Sequence, residues 1–364
     1  RQLMHHISTI KKEIPPKYIR EAQKWFYQDS VEELRKIFNR LTLIMEGEAA
    51  IRFIDPVVFS ICLPLWDTDG DGYISEAEAK VVRRLTQGAF NNQEGIISLD
   101  DLDKLAGYIY HAGDFKNMPN LITATTGLKI NLTSGLPDTF TASYANCTKL
   151  ERIKINKAIT LISNGTFKND ASLHTVIFGG YETKVGNEAF MGCTSLEHIE
   201  LPNTIMELSY NAFRNCSALN SVNLGNVITL GGACFAGCSN LNIDVNIPNA
   251  IGEIYQVFSG SGIVSASNLG KVTSITYFAF GSCPNLSYVV LPDTLTSIGN
   301  ATFYGSSKLE YIICHAINPP TLDGSAFNGT SCIIYVPDAS VNAYKTASNW
   351  SKIASRIRSI SEKL

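Results

Sequence analysis

An aromatic residue returns between positions 144 and 327 at a nearly fixed interval, and no other feature limits the fold as much. Tyr144, Phe167, Phe190, Phe213, Phe235, Phe258, Phe280, Phe303 and Phe327 are separated by 23, 23, 23, 22, 23, 22, 23 and 24 residues. Six residues after seven of the first eight come Leu150, Leu173, Leu196, Leu219, Leu241, Leu286 and Leu309, and Ile263 comes five after Phe258. Such a period, with an aliphatic residue at a set offset, belongs to a solenoid in which each unit buries the face of its neighbour. Function is then expected on a repetitive surface and not in a catalytic pocket.

Each unit divides into a strand, a corner and a return. Leu196, Ile199 and Leu201 fall in a stretch that alternates with the period of a strand, and Pro202 closes it because proline cannot donate to a ladder. Leu291-Pro292-Asp293-Thr294-Leu295 through Ala301-Thr302-Phe303 repeats the same pattern. Three residues after the aromatic lie Cys147, Cys193, Cys216, Cys238 and Cys283, with Asp170, Ser261, Ser306 and Thr330 in the same slot elsewhere. A slot that takes Cys, Ser, Thr and Asp reads as a small inward position beside the next coil. The nine cysteines form no C-x-x-C pair, so free thiols packed as small core residues are expected, ahead of zinc or disulfide pairs.

The ends need covers, since an open sheet edge templates aggregation. Residues 1–110 are assigned to a helical N-terminal region. Within it Ser30 and Glu33 form a capping box, and Val31, Leu34, Ile37, Phe38 and Leu41 recur at helical spacing. Residues 111–336 are assigned to a solenoid of about nine repeats and 337–364 to a C-terminal helical cap, in which Trp350, Ile353 and Ile357 continue an apolar face. A net charge of −3 gives no reason to expect nucleic acid, and no run of 18 apolar residues is present to span a membrane. The start at Arg1, without a signal peptide, leads us to expect a trimmed product of an exported chain, its signal or anchor absent from this sequence.

The repeat I-x-L-P-x-T-[IL]…A-F-x-x-C-x-x-L-x-x-[IV] resembles the BspA-type leucine-rich repeat of bacterial surface and secreted proteins. Pro319-Pro320-Thr321-Leu322, Ile334-Tyr335-Val336-Pro337 and Val341-Asn342-Ala343-Tyr344-Lys345 are similar to the usual tail of that family, and Phe53 to Ile97 to its N-terminal part. The resemblance does not reach the first 50 residues. It implies a β-rich leucine-rich repeat solenoid of parallel stacked strands, exported or held at the cell surface, that binds other macromolecules.

One segment carries defined chemistry. Asp67-Thr68-Asp69-Gly70-Asp71-Gly72-Tyr73-Ile74-Ser75-Glu76-Ala77-Glu78 satisfies the EF-hand loop pattern D-x-D-x-D-G-x5-E. A hard dication wants six to eight oxygens. Asp67, Asp69 and Asp71 would give three, Tyr73 its carbonyl, Ser75 a direct or water-bridged oxygen and Glu78 a bidentate carboxylate. One structural Ca2+ is the expected cofactor, fixing an EF-hand-like helical subdomain onto the solenoid. Gly95 to Asp101 aligns with the second half of this loop, and reads either as a degenerate partner loop or as the lead-in to the first repeat.

The positions that the repeat leaves free give the candidate binding surface. Arg152, Lys154, His198 and Glu200 stand there in the early units, and Tyr288, Val290, Tyr311 and Ile313 in the late ones. Exposed tyrosines in register beside aliphatic residues suit a protein hot spot or a sugar-stacking platform. No G-x-S-x-G, H-E-x-x-H, P-loop or G-x-G-x-x-G motif occurs, so no enzyme is expected. Protein binding or adhesion outside the cell is the reading preferred, with glycan binding as the alternative and a passive spacer behind both.

Overall fold

The computed structural model of the protein describes residue 53 and residues 55–81, 90, 92–99, 117–125, 139–140, 144–155 and 159–363. The helix expected to start at Ser30 lies outside the described residues. The chain winds as a solenoid with two rows of short parallel strands. The front row runs Ser98–Leu99, Thr123–Thr125, Arg152–Lys154, Thr175–Ile177, His198–Ile199, Ser221–Val222, Asp244–Asn246, Ser265–Asn268, Tyr288–Leu291, Tyr311–Cys314, Ile333–Val336 and Ile357–Ser359. The back row runs from Thr139–Phe140 through Ile251–Tyr255 and Lys271–Thr276 to Thr321–Leu322. Every pairing is parallel and joins one coil to the next, as Tyr288 to Tyr311 and Val290 to Ile313 show.

Between the rows stand the residues that set the period. Phe190, Phe213, Phe235 and Phe258 stack with centroids 5.2, 5.4 and 5.9 Å apart and planes within 4° of parallel. The column starts at Tyr144 and ends at Phe327, which Trp350 covers at 6.1 Å. All these rings are buried. The cysteines of the small slot are buried and form no disulfide, as the spacing suggests. Burial drives the Cys238 and Cys283 thiols up to about 12, which makes them inert.

The start of the stack and the content of the C-terminal cap differ from expectation, while the strand Ile333–Val336 ends where the solenoid was assigned to end. The front row begins at Ser98–Leu99, paired with Thr123–Thr125, so the stack starts upstream of residue 111. Ser98–Leu99 thus forms part of the first coil, as the lead-in reading expects, and Ile97 is exposed. At the other end the expected helical cap is one short helix, Val341–Thr346, followed by 3-10 turns and a final strand. Helix continuation fails because Ala347 is extended and Asn349 turns left-handed at φ 61°. That break swings Trp350 onto Phe327, and Ile357–Ser359 then pairs with Ile334–Val336 to extend the front sheet. Trp350 Nε1 donates to the Pro320 carbonyl at 2.7 Å, and Tyr344 Oη to that of Ala316 at 2.7 Å, so both large side chains enter the core with their polar tips satisfied.

Asp55 fastens the helix Pro56–Trp66 to the first coil. Its Oδ1 caps the helix by accepting the amides of Val57 and Val58 at 2.9 and 3.2 Å. Its Oδ2 accepts the amides of Ile97 and Ser98 at 2.8 and 3.1 Å. One buried carboxylate thus serves both a helix end and a sheet edge. Val58, Cys62 and Trp66 join the same apolar core as Ile96 and Leu99. A Cβ on Gly95 would stand 3.0 Å from Val57 Cγ2, which shows how closely helix and coil meet.

Candidate functional site

The loop Asp67–Ser75 lies between the helix Pro56–Trp66 and the helix Glu76–Val81. Glycines at 70 and 72 take φ of 75° and 88°, so the chain folds tightly enough for its carboxylates to converge. Oxygens of Asp67, Asp69 and Asp71 lie within 4.8 Å of one another, the only such metal-competent cluster among the described residues. Asp67 accepts the amides of Gly70, Asp71 and Gly72, and Asp71 that of Tyr73 at 2.8 Å. Glu78 closes the loop from the far side: Oε1 takes the Thr68 amide and hydroxyl, and Oε2 those of Ser75. Ile74 packs into the core between them.

Two carboxylates of the loop depart from their ordinary values. Burial and the charges of Asp69, Asp67 and Glu78 raise the Asp71 carboxyl to about 6. Burial pushes Glu78 up as well, but the donors from Ser75 and Thr68 outweigh it and hold Glu78 below its ordinary value. Three converging carboxylates, one of them destabilised as an anion, fit a hard dication. Glu78 would exchange its hydrogen bonds for the metal to serve as a ligand.

The surface candidates share the front row but do not converge. Arg152 and Lys154 begin and end one strand; His198 starts another and shares 2.6 Å with Ser221 Oγ, and Glu200 follows it, exposed. Tyr288 and Tyr311 stack at 5.3 Å, as their register requires, but both are only half-exposed, as are Val290 and Ile313. Lys363 Nζ sits 3.7 Å above the Tyr311 ring, so the C-terminal segment covers part of this patch.

A larger aromatic surface lies on the corner after the back row. Tyr210, Tyr255, Tyr277 and Tyr304 are each at least 40% exposed. Tyr255 stacks on Tyr277 at 5.6 Å, Tyr277 meets Phe278 edge-on at 5.4 Å, and Phe278 contacts Tyr304 at 5.6 Å. Gly232 occupies the rung between Tyr210 and Tyr255; a Cβ there would lie 2.9 Å from the Tyr255 ring and 3.1 Å from that of Tyr210. The rings thus form a strip over five coils. Sequence reading missed it, although Tyr210, Tyr255 and Tyr277 each precede a core phenylalanine by three residues. Asn187 precedes them in the same row and accepts the Tyr210 amide at 3.1 Å; Asn300 follows and donates to Ser325 Oγ at 2.9 Å.

The BspA type leucine-rich repeat region matches the chain in six copies over residues 80–188, 170–267 and 255–346. No curated protein matches the sequence. Among solved structures, a leucine-rich repeat protein from Bacteroides ovatus is 19% identical over 60% of this chain and 59% of its own, with a TM-score of 0.43. A leucine-rich cell surface protein from Faecalibacterium prausnitzii is 19% identical over 73% and 86%, with a TM-score of 0.36. The pneumococcal vaccine antigen PcpA is 14% identical over 79% and 84%, at 0.35. The chain thus spans less than two-thirds of the first of these proteins.

Proposed function

The chain belongs to the BspA-type leucine-rich repeat family, and from that premise we propose a non-enzymatic binding protein that acts outside the bacterial cell and recognises a protein partner. The observation that carries this reading is the tyrosine strip from Tyr210 to Tyr304. Tyrosine supplies a large contact area at low entropic cost and keeps a hydroxyl for the partner's polar groups. Rings already stacked on one another lose little freedom on binding, and aromatic anchors of this type dominate interface energies. The front-row pair Tyr288 and Tyr311 forms a second, partly covered contact.

Glycan binding keeps one specific support, the amides of Asn187 and Asn300 that flank the aromatic row. The loop Asp67–Glu78 serves as a structural Ca2+ site that stiffens the N-terminal cover and takes no part in the contact.

Binding of the purified chain to extracellular-matrix proteins and to host and bacterial glycans, in calcium and in chelator, separates these readings. A protein ligand weakened about tenfold or more by Tyr255→Ala with Tyr277→Ala is the expected result. A ligand lost only on Tyr288→Ala with Tyr311→Ala moves the site to the front row. A glycan ligand with no protein ligand overturns the preferred reading.

A further inference from the structure

In five coils the slot three residues after the core aromatic donates one hydrogen bond to the coil before it, whereas Thr330 donates to the Phe327 carbonyl of its own coil. The Sγ atoms of Cys193, Cys216, Cys238 and Cys283 donate to the carbonyls of Phe167, Phe190, Phe213 and Phe258, each at 3.1 Å. Ser306 shows the complete pattern: its Oγ donates to the Phe280 carbonyl at 2.6 Å and accepts the Cys283 amide at 3.0 Å. All five bring a proton to the carbonyl one coil back.

Asp170 fills this slot, and as a carboxylate it has no proton to bring. It is fully buried. Its Oδ1 accepts the Cys147 amide at 2.8 Å, the counterpart of the Cys283 amide on Ser306. Its Oδ2 has no hydrogen-bond partner. The repeat assigns that oxygen the Tyr144 carbonyl, an acceptor that repels an anion and welcomes a hydroxyl. We propose that Asp170 is held in the folded stack as the neutral carboxylic acid, donating from Oδ2 to the Tyr144 carbonyl, and that its ionisation loosens the coils between Tyr144 and Phe190. The solenoid thereby contains a proton-dependent joint.

The surroundings agree. Cys147 and Cys193 occupy the same slot on either side of Asp170, and Tyr144 stands in the aromatic column beside it. In the exposed corner of these coils Lys168 pairs with Glu188 at 2.8 Å, which leaves its charge engaged there. Burial holds the Asp170 carboxyl well above the usual carboxylate range and raises both neighbouring thiols. An acid whose folded value exceeds its unfolded value takes up a proton on folding. Its contribution is complete below the unfolded value and is lost as pH rises through the folded one, by about tenfold in the local opening constant per pH unit.

Asp170→Asn keeps an acceptor at Oδ1 and supplies a donor in place of the acid hydroxyl at every pH. Amide hydrogen exchange at Cys147 and Cys193, corrected for intrinsic rate, is compared in the two proteins from about pH 3.5, below the unfolded carboxylate value, to mildly alkaline buffer. The expected result is equal protection in acid and a widening gap as pH rises, with the wild type opening and the variant not. The infrared band of a neutral, buried carboxylic acid should also be present in the wild type at neutral pH and absent from Asp170→Asn. Parallel pH profiles, or no neutral-acid band in the wild type, overturn the proposal. If Asp170→Asn fails to fold, Asp170→Ser, which installs the group found at 306, gives the same comparison, and the wild-type band decides alone.

Discussion

Two residues after each core aromatic the backbone turns left-handed, and this one position shows what the periodic pattern conceals. Asn146, Asn169, Asn215 and Ser282 stand there with φ of 63°, 65°, 60° and 55°, and Gly192, Gly237, Gly305 and Gly329 with φ of 70–77°. The upstream Asn92 and Asn117, at 59° and 56°, continue the series. Asn, Gly and Ser share no hydropathy, only some tolerance of this conformation, so a search for apolar period passes over them. Asn146 also donates to Asn117, and Asn169 to Asn146, at 3.1 and 3.2 Å, a ladder that ties the first coils together. Ser282 fits this corner least well, and Ser282→Gly should stabilise the fold by about 1 kcal/mol in chemical denaturation. Gly237→Ala should do the reverse by about 1–2 kcal/mol from conformation alone. The steric cost adds to that, since the new Cβ would stand 2.4 Å from Asn215 Oδ1. Equal midpoints for Gly237→Ala and wild type would show that the corner yields.

At the scale of elements, the aromatic column was legible because stacking along an axis demands one ring per coil at constant spacing. Phe213 has a ring on each face, at 5.2 and 5.4 Å. Phe213→Ala should cost roughly 3–5 kcal/mol as a cavity with no freedom to collapse. Cys216→Ser should stay close to wild type, because Ser306 already performs the same donation, whereas Cys216→Leu should cost about 1–3 kcal/mol by overpacking. Urea denaturation of the three variants tests the order Phe213→Ala, Cys216→Leu, Cys216→Ser, and any other order would mean that the slot is not the tight, hydrogen-bonded position described above. The end elements were less legible. Their apolar spacing at Trp350, Ile353 and Ile357 suits a helix, but docking Trp350 on Phe327 outweighs that local preference. Asp55 was invisible for a related reason: its partners Ile97 and Ser98 lie more than 40 residues away, and nothing in the local sequence marks a carboxylate that closes a sheet edge.

At the scale of the whole molecule, a solenoid is stabilised coil by coil, so its weakest neighbour contact sets where it opens. The helix Pro56–Trp66 joins the two devices at the N-terminal side: Asp55 holds its start to the first coil, and the Asp67 amide closes its end on the Leu63 carbonyl. The loop pattern was fully legible in sequence, because ligand spacing is local. Its link to the solenoid was not, since that runs through Asp55. Calcium bound by Asp67, Asp69 and Asp71 would therefore stiffen one end of a helix whose other end protects the edge of the stack. At the dissociation constants usual for extracellular calcium modules, about 10⁻⁴–10⁻³ M, millimolar calcium would contribute only about 0.4–1.4 kcal/mol. The gain should concentrate in the first coil, as slower amide exchange at Ile97 and Ser98. Glu78→Gln should weaken that gain by lowering affinity. Asp55→Asn should abolish the gain at Ile97 and Ser98 while calcium still binds in calorimetry, because the ion then stiffens a helix no longer fastened to the strand. Calcium-dependent protection that survives in Asp55→Asn would show that the ion reaches the solenoid by another path, through the buried contacts of Trp66 and Ile74.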